Sequence, residues 1–312
     1  MTLRSKPCLA ALAIGAAAVI SAASTSPAET AGGVSSRAIA ASWTVQTSGV
    51  TSSLRGVSAV DDRTAWASGS NGTVLRTLDG GATWSVIPVP GAETTDFRDI
   101  EAFGANEAVV MGIARPARIF RTTDGGRTWT KTYEDDSPGI FLDGLAFFDR
   151  KKGLAFGDPM QGRFFFIVTS DGGASWKPLP VGSRPVAGEG EAAFAGSGTS
   201  ASVFGKDRVW LTTGGSVSRV WRSEDRGLHW QAVPAGLLEG LSSAGGFSVV
   251  QGIDGDAVKQ RHPGFRRVAA VTHQPGQAFL SQILGVVRRA RAPVQEAHQR
   301  LALRSHEAVE FV

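Results

Sequence analysis

Cysteine is almost missing from this chain: among 312 residues Cys8 is the only one. It precedes an apolar segment with the form of an export leader, so the mature chain is expected to hold no thiol, no disulfide and no cysteine-ligated metal. Tyrosine is as scarce, with Tyr133 alone. His262, His273, His298 and His306 fit none of the zinc-ligand spacings, and His229 has no ligand-type neighbours. No metal or other cofactor is therefore expected. A loose G-x-G-x-x-A phrase, Gly188-Glu-Gly190-Glu-Ala-Ala193, lacks the strand–helix setting that dinucleotide binding needs. Amphipathic helical patterning is also lacking between residues 42 and 250, where short β-rich runs are punctuated by Gly and Asx turns. That combination predicts an all-β fold.

The first residues read as targeting rather than fold. Arg4 and Lys6 form a basic head, Leu9 to Ile20 an alanine-rich apolar core too short to span a membrane, and small residues run from Ser21 to Ala31. Residues 1–31 are expected to be a signal peptide with its cleavage region, near Ser21-Ala-Ala23, and residues 32–41 a linker. The expected destination is the periplasm or the exterior.

One phrase, Ser/Thr-x-Asp-x-Gly-x-x-Trp, occurs four times. It reads Thr77-Leu-Asp79-Gly-Gly81-Ala-Thr-Trp84, Thr122-Thr-Asp124-Gly-Gly126-Arg-Thr-Trp129, Thr169-Ser-Asp171-Gly-Gly173-Ala-Ser-Trp176 and Ser223-Glu-Asp225-Arg-Gly227-Leu-His-Trp230. The aspartates are spaced by 45, 47 and 54 residues. Strand-like sequence repeating at about 40–50 residues is the signature of a β-propeller, one repeat per blade. Each residue type has a mechanical job. The aspartate accepts from backbone N–H groups two or three residues on, and the first hydroxyl ties down the same turn. Glycine supplies positive φ, and tryptophan wedges against a neighbouring blade. The four aspartates are thus read as structural, on rim turns, and no catalytic set is assigned.

Between the boxes the blade repeats more loosely. Inner strands open at Leu54-Arg55-Gly-Val57, Phe97-Arg98-Asp99-Ile100 and Phe141-Leu-Asp143-Gly-Leu145. Second strands are expected over 65–68, 108–112, 154–157 and 209–212, and third strands over 73–77, 117–122, 164–169 and 218–223. Asn71-Gly72 is a strong hairpin signal. Ser42-Trp43-Thr-Val45 matches the strand after a box, as if closing a ring, and Leu241 to Val250 matches the first strand of a fifth blade. The propeller is placed at 42–250, with about four complete blades.

From Gln251 the pattern stops. The net charge of +4 belongs to residues 251–312, which hold nine Lys and Arg against five Asp and Glu. A basic tail can serve nucleic-acid or anionic-lipid binding. The abrupt mid-blade change reads instead as a shifted reading frame and a truncated propeller, so no nucleic-acid partner is expected.

Asp-box repeats bring sialidases and other glycoside hydrolases into consideration. Sialidases use a tyrosine nucleophile, and Tyr133 follows Trp129 on an outer strand, at the wrong radius for an axial site. Paired carboxylates near inner strands, Asp99, Glu101 and Asp143, keep a hydrolase as the alternative, against their reading as solvated acids lining a wet channel. The chain more closely resembles the photosystem II stability/assembly factor family. The resemblance rests on Asp-Gly-Gly-x-Thr/Ser-Trp in three blades, on Ala155-Phe-Gly-Asp158-Pro159 followed by Gly162-Arg163-Phe164, and on Arg55 and Arg98 at inner-strand starts. It implies a ring of seven blades and an exported, non-enzymatic role in assembling membrane protein complexes. The partner implied is a protein or peptide in the exported compartment, with carbohydrate as the other option. The candidate binding residues are Arg55, Arg98, Asp99 and Asp143, with the arginines at one mouth of the channel; capping of each blade by salt bridges to Asp96, Asp99 or Asp143 is the competing role.

Overall fold

The computed structural model describes residues 44–196, 198–237, 239–251 and 268–271. The leader, the linker, Ser42, Trp43 and most of the tail lie outside the described residues. Four four-stranded antiparallel sheets follow one another along the chain. Blade I holds β1 (Leu54–Ala59), β2 (Ala65–Gly69), β3 (Thr73–Thr77) and β4 (Ser85–Val86). Blade II holds β5 (Phe97–Ala102), β6 (Ala108–Gly112), β7 (Ala117–Thr122) and β8 (Thr130–Asp135). Blade III holds β9 (Leu142–Phe147), β10 (Gly153–Met160), β11 (Arg163–Thr169) and β12 (Lys177–Pro178). After a two-residue strand, β13 (Glu191–Ala192), blade IV comprises β14 (Ala201–Phe204), β15 (Arg208–Thr212), β17 (Arg219–Ser223) and β18 (Gln231–Pro234). The short β16 (Gly214–Gly215) pairs with β13. A further two-stranded sheet consists of β19 (Ser248–Gln251) and β20 (Val268–Val271), so four tail residues pair with the expected fifth inner strand. The inner strands lie side by side in the order β1, β5, β9, β14, β19, as blades of a β-propeller do.

The core lies between blades, because alternate side chains of a strand point to opposite faces and both faces are covered. In β6, Val109 and Met111 pack toward blade III while Ala108 and Val110 pack toward blade I. In β11, Phe165 and Ile167 face blade II while Phe164 and Phe166 face blade IV. The hairpin at Asn71-Gly72 has positive φ at both residues, 56° and 62°, the geometry of a type I′ turn.

The box turns are closed by their own side chains. The Thr77 hydroxyl donates to Asp79 Oδ1 at 2.8 Å and accepts from the Gly81 N–H at 2.8 Å. Thr83 donates its N–H to Oδ1 at 2.9 Å and its hydroxyl to Oδ2 at 2.6 Å. The aspartate thus reaches the N–H four residues on as well as the one three residues on that was expected, because the two positive-φ glycines fold the chain back over the carboxylate. Asp124 and Asp171 repeat the pattern with Thr128 and Ser175. In the fourth box His229 takes that place, its Nδ1 2.6 Å from Asp225 Oδ2.

The box carbonyls also clamp blade to blade. Arg76 of β3 donates to Gly125 O at 3.0 Å in the second box, and Arg121 of β7 donates to Gly172 O at 2.9 Å in the third. Blade I receives the same contact from Gln46, which donates to Gly80 O at 3.2 Å and accepts from Trp84 Nε1 at 2.9 Å. Residues 44–50 contain no strand, and Gln46 holds them against the first box. The corresponding third-blade position is Val168, which cannot donate.

Gly173 shows how tightly the box meets its neighbour. Its φ is +82°, and an added Cβ would lie 2.9 Å from Val109 Cγ2 of blade II. Gly173→Ala is expected to lower unfolding stability by about 1–3 kcal/mol, the usual cost of a side chain held in left-handed backbone. Urea denaturation of the two proteins checks it; equal midpoints and slopes would contradict this account of the turn.

Candidate functional site

Three inner strands carry a β-bulge at the same place. In β1, Leu54 pairs with Gly69 and Gly56 with Ser68, which leaves Arg55 as the extra residue. In β5, Phe97 pairs with Gly112 and Asp99 with Met111, leaving Arg98. In β9, Leu142 pairs with Gly157 and Gly144 with Phe156, leaving Asp143. A bulge bends its strand and re-aims the extra side chain. The glycines opposite permit the close approach: a Cβ on Gly69 would lie 2.4 Å from Ser53 O, and one on Gly157 2.0 Å from Phe141 O.

The two arginines are brought together but are not equivalent. Arg98 donates from Nε and Nη2 to Asp96 Oδ2 at 2.9 and 2.7 Å, and from Nη1 to Ala195 O at 2.7 Å. Arg55 lies close enough to Arg98 for the second cation to lower its pKa, after burial and against the pull of Asp96. Its Nε is buried without a hydrogen-bond partner, and so is Asp96 Oδ1. The expected capping by an aspartate therefore holds for Arg98, through Asp96, whereas Arg55 has no hydrogen bond or salt bridge among the described residues.

The carboxyls beside them are not solvated, contrary to the wet-channel reading. Asp99 and Asp143 are each 2% exposed. Asp99 accepts from the Ile100 and Leu145 N–H groups, both at 2.8 Å, the second in the neighbouring blade. Burial nevertheless raises its pKa to about 7. Half-buried Glu101, two residues on, is raised to about 8 by burial and by Asp99. Neither oxygen of Asp143 makes a hydrogen bond of good geometry, although the Ala195 and Asp158 N–H groups lie near enough to favour its charged form. Burial, then the Asp158 carboxylate, push it well above the usual range, against the pulls of the Ala195 N–H, of Arg98 and of the Asp158 N–H.

What covers them is the segment between β13 and β14, part of the insertion that lengthens the third box spacing. Ala195 reaches Arg98 of blade II, Gly198 lies against Asp99, and Ser200 lies against Gly144 of blade III. The start of the insertion is held by Glu191. Burial pushes this carboxylate's pKa up, but Arg219 and the Thr213 hydroxyl hold it below the usual value. Arg219 pairs with Glu191 while stacking 4.3 Å over Trp221. The Gly188 N–H donates to Glu191 Oε2 at 2.8 Å, so this loop spends its own amide on its own carboxylate. Sequence spacing gave no sign that the insertion would cross to the inner strands. Tyr133 lies in β8 and donates to Asp135 at 3.0 Å, away from these groups. Among the described residues no cluster of metal-ligand type occurs.

The raised carboxyls carry a pH signature. Asp99 ionises near its ordinary value of 3.8 when unfolded and near 7 when folded, so its favourable contribution is complete below about 3.8 and lost as pH rises to about 7. Melting temperature is expected to fall from pH 5 to pH 8 in the wild type, and to fall less in Asp99→Asn. Parallel profiles for the two proteins would contradict a protonated, buried Asp99.

Comparison with known proteins agrees with this architecture. Residues 35–140 match the family model described as photosynthesis system II assembly factor YCF48. The chain is 30% identical over 113 residues to the chloroplastic photosystem II stability/assembly factor HCF136 of Arabidopsis thaliana, covering 35% of this chain and 26% of that one. It is 29% identical over 122 residues to the photosystem II assembly lipoprotein Ycf48 of Synechococcus sp. (strain CC9902), covering 39% of this chain and 35% of that one. The matches thus span about a quarter to a third of those relatives. A solved structure described as YCF48 bound to D1 peptide aligns at TM-score 0.33 and 19% identity, over 62% of this chain and 89% of that one. A GH74 xyloglucanase from Xanthomonas campestris aligns at TM-score 0.48 and 18% identity, over 69% and 34%. The chain is an Asp-box β-propeller similar to the photosystem II stability/assembly factors, and the family match covers its first two blades.

Proposed function

We propose that this chain is an exported, non-enzymatic scaffold of assembly-factor type, which docks an acidic protein or peptide segment at the end of the inner strands where Arg55 and Arg98 meet. The observation that carries the reading is the bare Arg55 guanidinium. A half-buried cation without a partner is costly, and an incoming carboxylate would remove that cost while gaining a charge-assisted hydrogen bond. Arg98, already bonded to Asp96 and Ala195, acts mainly by positioning. The family resemblance supports a protein partner, since one related structure is described as bound to a peptide. Export is supported by the form of residues 1–31 and by a relative named as a lipoprotein. Burial of Asp99 and Asp143 weighs against their acting as an exposed acid–base pair on a glycoside.

Arg55→Ala is expected to weaken binding of a short Asp/Glu-rich peptide about tenfold or more, the worth of a hydrogen bond to a charged group. Isothermal titration of both proteins at two salt concentrations checks this. Equal affinity would end the arginine reading, and measurable turnover of a glycoside by the wild type would replace it with the hydrolase.

A further inference from the structure

Two aromatic rings stack outside the interblade core clusters of the described residues. Phe194, between β13 and β14, and Phe247, just before β19, lie with ring centroids 4.2 Å apart and planes at 17°. Both are half-buried, and neither belongs to a core cluster. Their floors are glycines: a Cβ on Gly214 would lie 2.5 Å from Phe194 Cε2, and one on Gly196 3.3 Å from Phe247 Cδ1. The pair is tied to the arginines by a single residue, since Ala195, next to Phe194, gives its carbonyl to Arg98 at 2.7 Å.

We infer that Phe194 and Phe247 form the apolar half of the docking site, selecting an acidic segment that also carries one large apolar side chain. This rests on the arginine reading above and adds its specificity. Partly exposed aromatic surface one residue along the chain from the carbonyl that holds Arg98, beside a half-buried cation, has the composition of a binding hot spot, where rigid rings add contact area at low entropic cost. Charge sets the occupant: Arg55 calls for a carboxylate, and the neighbouring rings call for an aromatic or branched aliphatic group within a few residues of it. The Arg98–Ala195 bond fixes the loop so that both halves are presented together.

The test uses the full chain and three fluorescent Gly/Ser-based peptides: one with Asp, Glu and Phe, one with Ser in place of Phe, and one with Asn and Gln in place of the acids. Fluorescence anisotropy is expected to give the wild type about tenfold tighter binding of the acidic Phe peptide than of the acidic Ser peptide, for partial burial of one ring. Phe194→Ala and Phe247→Ala are each expected to bring the Phe peptide down to the level of the Ser peptide. Phe247→Leu, which keeps apolar bulk, is expected to narrow the gap. A full gap in all three variants, or no gap in a wild type that still prefers acids over amides, would overturn the aromatic half and leave the arginine site standing. No preference for acids over amides would overturn both.

Discussion

Everything in this fold hangs on a turn that its own side chains close. In each box one carboxylate gathers a preceding hydroxyl and the N–H four residues on, and a hydroxyl or imidazole there completes it. These bonds hold Asp79 and Asp124 at a pKa of about 2. A turn closed in this way presents its glycine carbonyl to the preceding blade at a fixed place, where Arg76 and Arg121 can donate to it. Each arginine is opposite a second-strand residue, Trp66 or Val109. One sequence phrase therefore sets both the end of a blade and its docking onto the next. Gln46 extends the scheme to the first box with a residue from outside any strand.

The rim and the inner strands divide their ionisable groups by environment. Box carboxylates at the rim are well hydrogen-bonded and strongly acidic, whereas Asp99, Glu101 and Asp143 sit where burial outweighs their few donors. The same residue type thus serves as a strongly acidic turn lock outside and as a buried, weakly acidic group inside. The bulges turn one ionisable residue per blade out of the ladder, an arginine in blades I and II and a buried carboxyl of raised pKa in blade III. Because Asp143 stands at the third bulge, the arginine pair is not continued around the arc.

Much of this was legible from residues alone. The box phrase marked four turns and the ends of the third strands, and short continuous apolar runs marked strands such as β6 and β11 to within a residue. The matching of Arg55 with Arg98 was visible too, but the place of Asp143 at the third bulge was not, because Phe141-Leu142 puts one more apolar residue before it. The covering segment was not legible. Residues 193–200 carry no periodicity, and only long-range contacts, Ala195 to Arg98 and Gly198 to Asp99, show where they run. Solvation was misjudged for the same reason: a carboxylate on an inner strand reads as wet unless the chain that covers it is known. Phe194 and Phe247 are 53 residues apart in sequence, and nothing local to either one signals that their rings stack.

The central claim is that Arg55 is held half-buried and unpaired beside an Arg98 that already has its partners. The most direct measurement is the Nε–H resonance of each arginine in nitrogen–proton correlation spectra, assigned with Arg55→Lys and Arg98→Lys. On titration with an Asp/Glu-rich peptide the Arg55 signal should move to the position of a carboxylate-bonded guanidinium, while the Arg98 signal, already bonded to Asp96, should stay nearly fixed. A peptide that binds and shifts neither signal, or Arg98 alone, would contradict the account.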